Sequence, residues 1–150
     1  WQLHYILSLI ADKAFILDDV ANTGADQVRF AGKEDVLFAV TVMPYTQLTL
    51  DIADYAHSKG VPIVALTDSP VSPLARHATT AIFAATESPS FYHTMTPAFA
   101  LAEILAVLVS GQGGEETLEG LRQVDAYHAS LGTHAATRTY PAAPSLRRDQ

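Results

Sequence analysis

The chain has 150 residues, a formal net charge of −7 from 16 acidic and 9 basic side chains, and no cysteine. That length suits one domain burying about two thirds of its unfolded surface. The missing cysteines exclude disulfides, zinc–thiolate sites and thiol catalysis and agree with a cytoplasmic setting. Basic residues are scattered except for Arg147 and Arg148, so these residues do not form the clustered cationic surface that strong nucleic-acid binding needs.

The opening residues lack the basic, apolar, small-residue order of a signal peptide. Residues 1–10 carry Leu3, Ile6, Leu7 and Ile10 at helical spacing. Residues 14–17 form a short apolar run, expected to be a strand closed by Asp18 and Asp19. Asn22, Thr23 and Gly24 then supply turn and cap residues for a short helix over 25–30. Gly32 breaks it. Residues 36–41 are a continuous apolar run ended by Thr41, the pattern of a strand covered on both faces. Pro44 lacks an amide hydrogen and stops strand pairing, and a helix follows over 46–59 with Leu48, Ile52, Tyr55 and Ala56 on one face. Gly60 stands where a helix carboxyl end favours glycine.

Residues 62–67 are the next buried strand, leaving through Thr67-Asp68-Ser69-Pro70-Val71-Ser72-Pro73-Leu74, with a short helix starting near Pro73. Residues 80–85 are a third strand in this series, and they exit through Thr86-Glu87-Ser88-Pro89-Ser90. Thr96 is placed as the cap and Pro97 as the first position of a long helix to Val109. Its apolar run, residues 98–109, is interrupted by Glu103 and falls short of the ~20 residues of a membrane span. Gly111, Gly113 and Gly114 end it. A more polar amphipathic helix over 115–131 presents Leu118, Leu121, Val124 and Tyr127 or His128 on one face. After Gly132 periodicity stops, so residues 1–132 are read as the domain and 133–150 as a flexible tail.

Strands alternating with helices at crossover spacing predict an α/β fold, a parallel sheet between helix layers. Ligands of such sheets sit outside the carboxyl ends of the strands. Three successive exits here are rich in hydroxyls and carboxylates: Thr41, Tyr45, Thr46 and Thr49 at the first, Thr67, Asp68, Ser69 and Ser72 at the second, Glu87, Ser88 and Ser90 at the third. Hydroxyls and helix-start amides suit a small anion without net positive charge. Each group alone also suits ordinary strand ends and helix caps; together they favour a site. The six histidines show no metal-ligand spacing, and no glycine-rich nucleotide loop or nucleophile elbow is present. Of these histidines only His93, close to the third exit, is kept as a possible acid or base. No cofactor is expected.

The second motif, Thr-Asp-Ser followed by Ser72-Pro73-Leu74-Ala75, resembles the sugar isomerase (SIS) domain in the form carried at the carboxyl end of RpiR-type bacterial transcriptional regulators. Ala39-Val40-Thr41 with Pro44-Tyr45-Thr46 is similar to that family's strand and phosphate loop, and Thr86-Glu87-Ser88-Pro89-Ser90-Phe91 to its third exit. The resemblance covers about residues 1–130. It implies a flavodoxin-like fold, a phosphorylated sugar or sugar acid as ligand, a homodimer or higher homo-oligomer, no membrane, and DNA contact only through an amino-terminal helix-turn-helix domain outside these residues. It also places the family's first strand, with its glycine and serine loop, ahead of Trp1, and so implies an exposed sheet edge and apolar surface.

By the same resemblance, Thr41 and Thr46 take hydroxyl positions of the phosphate loop, and Thr67 and Ser72 stand beside the sugar. The superfamily's enzymes usually carry Ser-x-Ser-Gly-x-Thr at the first loop; here Met43 and Pro44 replace a hydroxyl and a glycine, which points away from catalysis. An effector-sensing domain is therefore the leading expectation. A sugar-phosphate isomerase, with Glu87, His93 or Glu103 as base, is the alternative. A pure dimerisation module acting through the last two helices is a third.

Overall fold

The computed structural model describes residues 1–10, 14–17 and 24–132. In chain order these form α1 (Gln2–Ser8), α2 (Gly24–Gln27) running into a 3-10 turn (Val28–Phe30), β1 (Leu37–Val40), α3 (Gln47–Ser58), β2 (Ile63–Thr67), a 3-10 turn (Leu74–Arg76), β3 (Thr80–Phe83), α4 (Thr96–Gln112) and α5 (Gly114–Leu131). The strands make one parallel sheet in the order β1-β2-β3. Leu37 is level with Ile63 and Val40 with Leu66; Val64 is level with Thr80 and Thr67 with Phe83. The ladder continues past the strand ends, where the Thr41 amide donates to the Leu66 carbonyl at 3.3 Å and the Ala84 amide to the Thr67 carbonyl at 2.8 Å. All three strands therefore leave the sheet at the same edge.

Strand alternation sorts the core into two layers. Ala39, Ile63 and Ala65 face α3 and pack with Val28, Ala53, Ala56, Val61 and Leu74. Leu66 faces α4 and packs with Ala84 and Ala98, joined by the partly buried Phe38, Ile82, Met95 and Leu101. A strand buried on both faces cannot alternate apolar with polar, which is why Leu37–Val40 and Ile63–Leu66 are unbroken apolar runs.

Four expectations need correction. Residues 14–17 are not a strand. A strand needs a ladder, and β1 makes its ladder with β2, while the Ala14 carbonyl instead accepts from the His4 ring at 3.1 Å and Leu17 contributes only its side chain to the core. Of the α3 stripe Leu48, Ile52, Tyr55 and Ala56, Ala56 is buried and Ile52 packs on the core, but Leu48 and Tyr55 are exposed and Ala53 is buried in their place, because small side chains let the helix lie close on the sheet. Thr96 is inside α4 and its amide donates to the Thr94 hydroxyl at 3.3 Å, so Thr94 supplies the cap-like oxygen.

Last, α4 continues through Gly111 to Gln112, and the break falls at Gly113 and Gly114. A side chain at Gly113 would collide with that of Thr117, and Gly114 adopts φ +53°. On α5, Leu118 and Tyr127 are exposed, while Thr117 is buried and Leu121, Val124 and His128 are half-buried. Gly60 and Gly132 end their helices at φ +74° and +62°, the left-handed region glycine enters without penalty. Asp18, Asp19, Asn22, Thr23 and the predicted tail 133–150 lie outside the described residues.

Ile63 has no solvent exposure and Val36 is 63% exposed. Ile63→Ala is expected to lower unfolding free energy by about 2–5 kcal/mol, whereas Val36→Ala should stay within about 0.5 kcal/mol. Urea denaturation of the two variants checks this.

Candidate functional site

The β1 exit turns sharply. Thr41 is buried, and its hydroxyl oxygen accepts the Thr46 amide at 2.9 Å, closing a loop over residues 41–46 that contains a cis Met43–Pro44 peptide bond. Thr46 is extended, at φ −78° and ψ 118°, and its carbonyl accepts from Leu50 at 3.3 Å, so α3 starts immediately after it. The loop thus sets helix-start amides directly beyond the end of a central strand. Such ends carry a partial positive charge.

The β2 exit is built on buried hydroxyls. Thr67 and Ser72 have no solvent exposure, and their side-chain oxygens lie 2.8 Å apart. The Thr67 hydroxyl is also 3.2 Å from Asp68 Oδ1. One proton is therefore shared between a hydroxyl and a carboxylate acceptor. The Ser72 amide donates to the Ser69 carbonyl at 3.0 Å and the Val71 amide to the Ser69 hydroxyl at 3.3 Å, which curls the proline-flanked loop back on itself.

Asp68 joins the two exits. Its Oδ2 accepts the Met43 amide at 3.4 Å, a long bond across 25 positions of sequence. The Tyr45 phenol reaches the same carboxylate and Ser72; partial burial first, and then the hydrogen bond and charge of Asp68, push it above its ordinary value, with Ser72 opposing. Thr41, Tyr45, Thr46, Thr67, Asp68, Ser69 and Ser72 therefore form one cluster. Thr41, Thr67 and Ser72 brace it from within, and Tyr45, Ser69 and Asp68 are half-buried at its surface. The backbone amide of Met43 belongs to the same cluster, and no residue-type signal could have announced it.

The remaining candidates stand apart. Thr49 sits half-buried in the first turn of α3 and bonds to neither loop. At the third exit, Glu87 is exposed, and the Ser88 hydroxyl accepts the Ser90 amide at 3.2 Å. His93 stacks on Tyr92 with ring centroids 4.3 Å apart. Glu103 is exposed on α4 and lines a shallow groove of about 290 Å³ with Ile104, Val107 and Leu108. Among the described residues no group of histidine and carboxylate side chains is arranged to hold a metal ion. No single described helix is long and apolar enough to cross a membrane.

The family model described as the SIS domain matches residues 2–108. The chain belongs to the SIS domain family. Solved structures of similar fold also match it. The sugar isomerase domain of an RpiR transcription factor from Sphaerobacter thermophilus matches with a TM-score of 0.75 and 28% identity over 83% of this chain and 69% of that one. The Vibrio vulnificus NanR protein complexed with ManNAc-6P matches with a TM-score of 0.73 and 22% identity over 90% of this chain, which spans about half (51%) of NanR. A putative sugar-phosphate isomerase from Listeria monocytogenes matches with a TM-score of 0.51 and 18% identity over 85% of this chain and 62% of that chain. The last two likenesses, at their identities, establish the fold alone. No curated protein sequence matches.

Because the folded state holds the Tyr45 phenol protonated above its ordinary value, the stability this supplies is present below that value and is lost as pH rises through the folded one. Phenolate absorbance of the wild type minus that of Tyr45→Phe should show one tyrosine ionising later than a free phenol. In Asp68→Asn that transition should move back toward the ordinary value.

Proposed function

We propose that this SIS domain is the effector-sensing part of an RpiR-type transcriptional regulator and takes a phosphorylated sugar or sugar acid at the exits of β1 and β2. The observation that carries the reading is the convergence of the Met43 amide, the Tyr45 phenol and the Thr67–Ser72 pair on one point between the two exits. Donors held in place by buried hydroxyls suit phosphate oxygens, and Thr46 and Ser69 add hydroxyls at the rim. The likeness to the Sphaerobacter domain supports the regulator branch, and the fold shared with sugar-phosphate-bound NanR supports the ligand class.

In this reading the protein is cytoplasmic, the −7 chain leaves DNA contact to a separate domain, and two copies pair through their helices. Ligand acts by binding two arrangements of the loops with different affinity, since only differential affinity shifts an equilibrium. The domain binds without turnover. Glu87, His93 and Glu103, the candidate bases, are not bonded to the two-exit cluster, and no observation favours an isomerase over a sensor.

A panel of hexose, pentose, amino-sugar and sugar-acid phosphates, followed for hours by phosphorus NMR and titrated calorimetrically, tests this. At least one class should bind with no product peaks. The double variant Tyr45→Phe/Thr46→Ala should weaken that binding by at least about tenfold, roughly 1.4 kcal/mol. New product peaks, or affinity indifferent to the double variant, would overturn it.

A further inference from the structure

Asp68 is an awkward neighbour for a phosphate. Its carboxylate is half-buried and stands between the two loops. One oxygen takes the Met43 amide at 3.4 Å and the other lies 3.2 Å from the Thr67 hydroxyl. The hydrogen bond and charge of the same group act on the Tyr45 phenol. Those are the donors that an anion at this site would use, and a carboxylate already holds them. Two anions cannot share a pair of donors at hydrogen-bond distance without strong mutual repulsion.

We infer that Asp68 is a built-in competitor: its carboxylate occupies the first loop's anion-binding donors and clamps the β1 exit to the β2 exit, and a ligand phosphate must displace it from Met43 and Tyr45. The inference rests on the reading of this cluster as a phosphate site and adds a regulatory step to it. Exchange of carboxylate for phosphate removes the side-chain tie between the loops at residues 43 and 68. Ligand occupancy is thereby coupled to loss of the Asp68 tie between the loop before α3 and the β2 loop. The length of the Met43 bond fits a contact made to be exchanged, as a tight bond to a charged acceptor is shorter, about 2.7–2.9 Å.

Asp68 is also chemically distinct from its cluster mates. Thr67, Ser72 and Thr41 can each donate or accept and so adapt to an incoming anion. An ionised carboxylate can only accept. It therefore cannot join them in binding phosphate, although it could accept a sugar hydroxyl once it has moved aside.

The test uses inorganic phosphate as probe, with amide resonances of Met43 and Thr46 as readout, on the wild-type chain, Asp68→Asn and Asp68→Ala. The asparagine keeps the shape and removes the charge, which guards against a folding defect in the alanine variant. Both variants should show Met43 and Thr46 shifts saturating at a phosphate concentration at least about tenfold below that of the wild type. Weaker phosphate binding in both variants would make Asp68 a supporting ligand, and unchanged affinity would show no competition; either overturns the inference and leaves the phosphate site standing. If phosphate moves neither resonance in any of the three proteins, the site reading itself fails, and the inference falls with it.

Discussion

The hydroxyl pair of Thr67 and Ser72, fully enclosed at 2.8 Å, fixes how the second strand leaves the sheet. A buried hydroxyl left without a partner costs more than a normal hydrogen bond contributes, so the pair holds the loop to one path. Pro70 and Pro73 restrict that path further. Because β1 is hydrogen-bonded alongside β2 as far as Thr41, a fixed exit from β2 also fixes the ground on which the first loop rests. The side chain of Asp68 follows directly from Thr67 and lands between the two loops.

The sheet makes this juxtaposition available and its two coverings differ. The α3 side is closed by alanines, with Ala53 and Ala56 against Ile63 and Ala65, and it is the tighter layer. The α4 side is closed chiefly by Leu66, Ala84 and Ala98, and leaves Phe99, Ile104, Val107 and Leu108 outward. Helix α3 therefore has little room to slide against the strands, whereas the loop before it is held mainly by single hydrogen bonds. That loop is the less firmly held part of the connection from β1 to α3.

Much of this was legible in the residues. Unbroken apolar runs at 36–40 and 62–67, each followed by proline and hydroxyls, marked two parallel strands and their exits, and Pro97 and Gly132 marked helix ends where they occur. Residue type failed where packing or the backbone decided. Leu48 and Tyr55 share their helical spacing with Ile52 and Ala56, yet they stay exposed while Ala53 joins Ala56 against the sheet, because closeness outweighs bulk there. Residues 14–17 have strand composition, but a ladder depends on a neighbour that composition cannot reveal. At the site, sequence grouped Thr67, Asp68 and Ser72 at one exit and the family likeness set Thr67 and Ser72 beside a sugar; only geometry separates those two buried braces from the carboxylate between the loops. The Met43 amide was invisible, since every residue but proline has one.

The glycine break between α4 and α5 divides the molecule energetically as well as geometrically. Past Gly114, Thr117 is the single side chain that the described residues place out of solvent, and the SIS match ends earlier, at residue 108. Helix α5 thus draws little of its stability from the core, and opening it alone costs less than unfolding the sheet. Its amide protons are therefore expected to exchange with solvent sooner than those of the sheet.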